Sequence, residues 1–282
     1  MKITTETIKI LRNQTQAGIL SCKKALEKTS GNIEEAVLLL KKEGIIKATK
    51  NSSDKVAAEG LTNVAICGNK AILFELNTET DFVAKNKIFL NLYNKITELL
   101  LTSDELFSTV ADFLKLRIKK QNVQNIILET AAVLKEKIVL SRLQVVTKNT
   151  QESFGFYKHQ GGKISSLVVL SKDCPEVAMD LPIHIVGFNP KFISKDQADP
   201  QFIAKEKKFF LSKTLEEKTQ QKSLSSNIIE KIVEQRLNKF LEEICLLEQP
   251  LYNNQDQTVS AYLDTYQIKI IAFYRFEVGK RF

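Results

Sequence analysis

The polar stretch from Lys47 to Lys55, rich in Ser, Thr, Asn and Lys, separates two kinds of hydrophobic pattern, and that division most constrains what this chain folds into. Before it, from Thr5 to Lys47, apolar residues return only at helical spacing. After it, Leu61–Cys67 and Lys70–Asn77 alternate as strands do and meet at Gly68-Asn69, a Gly-first hairpin signal. The first region therefore predicts a three-helix unit that closes its own small core. Its first helix carries Ile8, Ile10 and Leu11 and ends near Gly18. Ser21 is placed to N-cap a second helix that stops at Ser30-Gly31-Asn32, and Asn32 caps the third. That third helix puts Ile33, Ala36, Val37 and Leu40 on one stripe and ends at Gly44, leaving Ile45 and Ile46 to tuck back.

Beyond the hairpin, helical periodicity covers Phe82–Leu101, Ser103–Lys120 and Asn125–Lys137, while Arg142–Thr147 and Ile164–Ser171 read as strands. Two charged helical stretches, Gln201–Gln220 and Asn227–Leu241, flank the polar Gln221–Ser226 and predict an antiparallel helical hairpin. Its face bearing Phe202, Ile203, Phe209 and Phe210 exceeds what one short hairpin buries, which suggests a homodimer or another protein contact. A strand-like run, Gln267–Phe276, follows. The class is α+β: a three-helix module over residues 1–46, a linker over 47–55, and a first core subdomain over 56–140. A second core subdomain uses 141–190 and 242–262, with the hairpin inserted over 191–241 and a C-terminal module over 263–282.

A chain of 282 residues with 43% hydrophobic content buries a real core and suggests about two domains. Four scattered cysteines, Cys22, Cys67, Cys174 and Cys245, form neither a disulfide framework nor paired metal ligands. The chain shows no export signal and no membrane-spanning run, so a cytoplasmic protein without membrane partners is expected. Its net charge of +8 favours approach to nucleic acid, the ribosome or an acidic protein. The basic residues are mixed with acids along helical segments, so solvated faces account for them better than a nucleic-acid groove, and no direct nucleic-acid partner is expected. His159 and His184 sit in no catalytic motif, and no phosphate-cradling loop occurs, so neither an enzyme nor a cofactor is expected.

The run Leu11-Arg12-Asn13-Gln14-Thr15-Gln16-Ala17-Gly18 through Ser21-Cys22-Lys23-Lys24-Ala25-Leu26 resembles the opening module of the elongation factor Ts family. Val56-Ala57-Ala58-Glu59-Gly60 resembles the family's approach to its first strand. Thr80-Asp81-Phe82-Val83-Ala84-Lys85-Asn86 is similar, residue for residue, to its signature. Further matches at Tyr157-Lys158-His159, Ile183-His184-Ile185-Val186, Leu246–Pro250 and Arg275–Gly279 carry the resemblance along nearly the whole chain. Departures are Gln16, Ile19, Leu20 and Ser21 for the usual glycine, two methionines and aspartate; Lys163–Ser166 for a more usual Arg-Ile-Gly-Val; and Ser223–Ser226 without a Gly-Lys-Pro turn.

The resemblance implies a guanine-nucleotide exchange factor of translation elongation, with a ubiquitin-associated-like first module and the GTPase elongation factor Tu as partner. It implies that Asp81 and Phe82 enter the nucleotide domain of that GTPase and dislodge its magnesium, with Thr80 and Val83 shaping the insertion. It also implies partner contact by Arg12, Ile19, Leu20 and His159. Each has a plainer reading. Thr78–Asp81 fits a helix cap with Phe82 as the first core residue, Ile19 and Leu20 fit core positions, and His159 fits a surface residue before a Gly-Gly turn. For His184, within an apolar run, a core position is expected. A basic RNA- or ribosome-associated protein with a three-helix interaction module is the alternative function.

Overall fold

The computed structural model describes residues 3–15, 17–51, 56–119, 121–218 and 226–280. The mixed α+β class is as expected. Two compact units divide the chain: residues 1–147, 158–165 and 276–282 form one, and residues 148–157 and 166–275 the other.

The first unit opens with α1 (Thr5–Thr15), α2 (Ile19–Lys28) and α3 (Ile33–Asn51). Leu11, Cys22, Ala25, Leu26, Ala36 and Leu40 close a separate core between these helices. Asn32 caps α3 as anticipated, its Oδ1 accepting the Glu35 amide at 3.2 Å. Three local expectations change. Ile10 faces solvent while Leu11 takes the core. The N-cap of α2 is Gly18, and Ser21 lies inside the helix. Helix α3 runs past Gly44 to Asn51, so the first half of the expected linker is helical, and residues 52–55 lie outside the described residues. Gly44 is there for proximity instead of termination: a Cβ on it would sit 3.1 Å from the Ala132 Cβ. The side chains of Ile45 and Ile46, and Gln16 altogether, lie outside the described residues.

Strands β1 (Glu59–Cys67) and β2 (Lys70–Thr78) form the anticipated hairpin, with Gly68 at φ +55°. Next come α4 (Asp81–Ala84), α5 (Lys87–Thr102), α6 (Val110–Lys115), the two-residue strands β3 (Arg117–Ile118) and β4 (Gln121–Asn122), α7 (Val123–Leu134) and β5 (Ile138–Thr147). The sheet order is β1-β2-β5, all antiparallel. Central β2 is buried almost throughout. Its Ile72, Phe74 and Leu76 join Phe89, Tyr93, Ile96 and Leu100 of α5 in the main core. The continuous helix expected over Ser103–Lys120 is broken. The Thr109 hydroxyl caps α6 by accepting the Asp112 amide, while Phe107 and Phe113 pack edge to face at 5.1 Å across the break. Because β5 is one strand of the first sheet, the subdomain boundary at 140/141 moves to its end at Thr147.

The second unit carries most of β6 (Ser153–His159), β7 (Ile164–Leu170) and β10 (Ile270–Glu277), in sheet order β10-β7-β6. Between β7 and β10 lie α8 (Pro175–Phe188), α9 (Pro200–Lys218), α10 (Ser226–Ile244), the short strands β8 (Pro250–Leu251) and β9 (Asn254–Thr258), and α11 (Val259–Tyr266). Over the described residues 263–280 the expected C-terminal module does not stand apart: Leu263 and Ile268 lie in the core with Val168, Val177, Leu181 and Ile185, and β10 completes the sheet. Helices α9 and α10 form the expected hairpin, and residues 221–225 of its tip lie outside the described residues. Phe202, Ile203 and Phe210 pack on Leu237, Leu241 and Ile244, leaving Phe209 as the outward-facing member of the anticipated apolar face.

Candidate functional site

The site is built where β2 ends. Thr80 is extended (φ −125°, ψ 154°) and N-caps the single turn α4, its Oγ1 accepting the Val83 amide at 3.4 Å. A four-residue helix has almost no intrinsic stability, so its geometry must come from its surroundings. Glu136, on the turn after α7, supplies them. Its Oε2 accepts the Thr78 hydroxyl at 2.9 Å and the Thr80 amide at 3.0 Å, and its Oε1 accepts the Thr80 hydroxyl at 2.7 Å. Glu79 answers in the other direction, its Oε1 accepting the Lys137 amide at 2.6 Å. Lys135, in the left-handed conformation at φ 59°, ends α7 and turns the chain so that Glu136 faces the loop. The base of the loop is thus fastened to the start of β5, while Phe82 stands 81% exposed.

That exposure overturns the reading of Phe82 as the first core residue of a helix, although the capping function of Thr80 is real. Val83 instead packs at the edge of the main core, and Ala84 is buried in it. The Asp81 carboxylate accepts a hydrogen bond from Lys85 Nζ at 2.8 Å. That bond, helped by the charges of Lys85 and Lys163, holds Asp81 below the usual carboxylate range and raises Lys85 in turn.

The turn after His159 belongs to the same unit. The His159 carbonyl accepts the amides of Gly162 and Lys163 at 3.0 and 3.1 Å. Gly162 has φ +103°, and a Cβ there would lie 2.8 Å from the Thr62 carbonyl oxygen, so this close approach requires glycine. The Gly162 carbonyl accepts both the amide and the hydroxyl of Thr62, at 2.6 and 2.8 Å, pinning the turn to β1. Lys163 then pairs with Glu59 at 2.7 Å, so the charges of Lys163 and Glu59 are felt at Asp81 and Lys85. The His159 side chain is half-buried beside this patch. The structure therefore brings the 159–163 turn to the vicinity of the 80–83 loop, a proximity that sequence spacing does not reveal.

Arg12 lies exposed in the last turn of α1. Ile19 and Leu20 open α2 and are 56% and 75% exposed, so the core reading fails for both. A cleft of about 630 Å³ in this unit is lined by Gly18 and Ser21 from the three-helix module and by Glu79 and Glu136 from the loop's base. Behind the loop, the other face of β2 buries Glu75, whose Oε2 receives Arg142 Nε at 2.6 Å and whose Oε1 accepts the amide of Gly279 at 2.7 Å. Arg142 also stacks over the Phe276 ring at 4.3 Å. Sequence reasoning passed over Glu136, Lys163 and this ion pair because each lies far along the chain from what it holds.

Among the described residues, no group of three or more His, Cys, Asp or Glu side chains is arranged to hold a metal ion. No helix among them is long and apolar enough to cross a membrane.

The family model described as elongation factor TS matches residues 79–280. The chain is 44% identical over 279 residues to elongation factor Ts of Aster yellows witches'-broom phytoplasma (strain AYWB), covering 99% of this chain and all of that protein. It is 43% identical over 281 residues to that of Phytoplasma australiense, covering both chains fully. Elongation factor Ts of Acholeplasma laidlawii is 42% identical over 281 residues, covering 99% of this chain and 94% of that one.

Proposed function

The chain belongs to the elongation factor Ts family, and from that premise we propose that it releases GDP from elongation factor Tu by inserting the Asp81-Phe82 tip into the nucleotide domain of that GTPase. The observation that carries this reading is Phe82: a large aromatic ring held in solvent at the tip of a turn whose base is fixed by hydrogen bonds. An isolated aromatic in water gains nothing for the free protein, whereas an aromatic anchor entering a partner's interior is a recurrent source of binding energy.

A GTPase holds GDP through magnesium and its phosphate-binding loop. An exchange factor works by offering contacts that exist only when that arrangement is disturbed. Phe82 supplies the wedge, Asp81 follows it, and the displaced partner backbone loses its hold on magnesium. No covalent bond forms in this chain. Arg12, Ile19 and Leu20 on the three-helix module dock on the same nucleotide domain, and the His159 turn adds a contact near the loop.

Linkage fixes the test. A factor that lowers the GTPase's affinity for GDP is itself bound less tightly by the GDP-loaded form, by the same ratio. The expected result is fast release of labelled GDP from elongation factor Tu in the presence of this chain, and dissociation of the nucleotide-free complex as GDP is titrated in. A complex unmoved by saturating GDP would sink the proposal.

A further inference from the structure

We propose that Glu136 is the positioning residue of the exchange loop, an inference that rests on the loop reading above and names the side chain through which the tip is made rigid before it meets the GTPase. Glu136 lies 56 residues from Thr80 in sequence. Both of its carboxylate oxygens are nevertheless committed to the loop's base: Oε2 to the Thr78 hydroxyl and Thr80 amide, Oε1 to the Thr80 hydroxyl.

The bond to the Thr80 hydroxyl has a directional consequence. That hydroxyl has one proton, which Glu136 takes, so the oxygen can present only lone pairs to the Val83 amide, as a cap must. Glu136 thereby sets the orientation of the cap and, through it, the turn that carries Asp81 and Phe82. The Glu79 carboxylate on the Lys137 amide closes the strap from the other side. Without the strap, α4 is a four-residue helix that must be ordered during insertion, when the wedge has to push. A pre-set loop spends none of its contact energy on ordering itself, so the effect falls on the insertion step and not on first docking.

The experiment uses the full chain and follows labelled GDP release from elongation factor Tu over a range of chain concentrations. For Glu136→Gln, which is nearly isosteric but faces the loop's donors with an amide group, the maximal rate is expected to fall about tenfold with the half-saturating concentration unchanged. The Thr80 and Val83 amides of the free variant should lose hydrogen-exchange protection while its melting temperature stays near that of the parent. Thr80→Val, which removes the strap's other end, should cause the same kind of loss, and the double variant should be no worse than the poorer single variant. A loss that appears as weaker half-saturation at an unchanged maximal rate overturns the proposal, as does an additive double variant. Phe82→Ala, run in parallel, separates the two levels. If it is impaired while Glu136→Gln releases GDP at the parent rate, the positioning role fails and the wedge stands. If Phe82→Ala itself is unimpaired, the wedge fails and the positioning role with it.

Discussion

Phe82 and His184 occupy opposite kinds of place from those their chemistry prefers. The phenylalanine stands in solvent at the tip of α4. The imidazole is fully buried in α8, stacked on Phe188 at 4.5 Å between ring centres. Their supports differ accordingly. The Phe82 ring receives nothing itself, and the hydrogen bonds are invested two and four residues earlier, in Thr80 and Thr78. His184 is held directly: Gln249 donates to the Glu243 carbonyl at 2.7 Å, which fixes its amide so that Oε1 faces His184 Nε2 at 2.9 Å. The imidazole must then carry its proton on Nε2, leaving buried Nδ1 without a hydrogen-bond partner. An exposed ring on a stiffened base is built to meet a partner, and a buried ring tied to its own core is built to hold the unit together.

The comparison breaks if either residue behaves like the other. The largest expected effect is on stability, for His184→Ala. It removes a stacked ring and strands the Gln249 carbonyl, and should lower unfolding free energy by about 2–4 kcal/mol. Urea unfolding measures it. Once the protein is confirmed folded, GDP release per molecule should match the parent, and a selective loss of exchange would show that His184 does more than hold α8. Phe82→Ala should do the reverse. Loss of an aromatic anchor of about 2 kcal/mol corresponds to roughly thirtyfold slower maximal GDP release. Its melting curve should stay within about 0.5 kcal/mol of the parent, since an exposed ring contributes little to folding.

Much of this arrangement was legible in the sequence because it is local. The Gly68-Asn69 hairpin, the Asn32 cap and the loop's own residues each depend on neighbours within a few positions. What escaped depends on distant partners. Gly44 reads as a helix stop until Ala132 is found against it. Ser103–Lys120 reads as one helix, yet Phe107 and Phe113 pack across a break. Glu136 reads as one more charge in a mixed segment, since nothing nearby in the chain shows that Thr78 and Thr80 need an acceptor. The exposure of Phe82 was equally invisible: a cap followed by an aromatic describes a core helix as well as an outward tip.

A smaller effect sharpens the functional side of the comparison. Among the described side chains of the three-helix module, Leu20 is the most exposed large apolar residue, on the first turn of α2 and away from that module's core. If it docks, Leu20→Ser should weaken binding of nucleotide-free elongation factor Tu by about 1 kcal/mol, several-fold in affinity, while leaving the maximal release rate alone. Calorimetric titration and saturation kinetics together test this. A fall in maximal rate at constant affinity would assign Leu20 to the insertion step and erase the division between docking module and wedge.

The smallest effect concerns protons at His184. Burial lowers its pKa from the ordinary 6.5, with the Gln249 bond opposing only in part. In the unfolded chain the imidazole binds a proton as the pH falls through about 6.5, while the folded protein still excludes it. The unfolded state then holds more protons, so stability declines as the pH drops from 6.5 towards the depressed folded value. Above 6.5 both states are neutral and this contribution is flat. The urea midpoint of the parent should therefore fall between about pH 7.5 and pH 5.5 by more than that of His184→Ala, which lacks the group. Carboxylates titrating at the acid end act on both proteins and cancel in the difference. An equal fall in the two would mean that His184 takes up its proton as readily folded as unfolded, which a ring fully excluded from water with one nitrogen unpartnered cannot do. Its burial, and the contrast with Phe82, would then have to be given up.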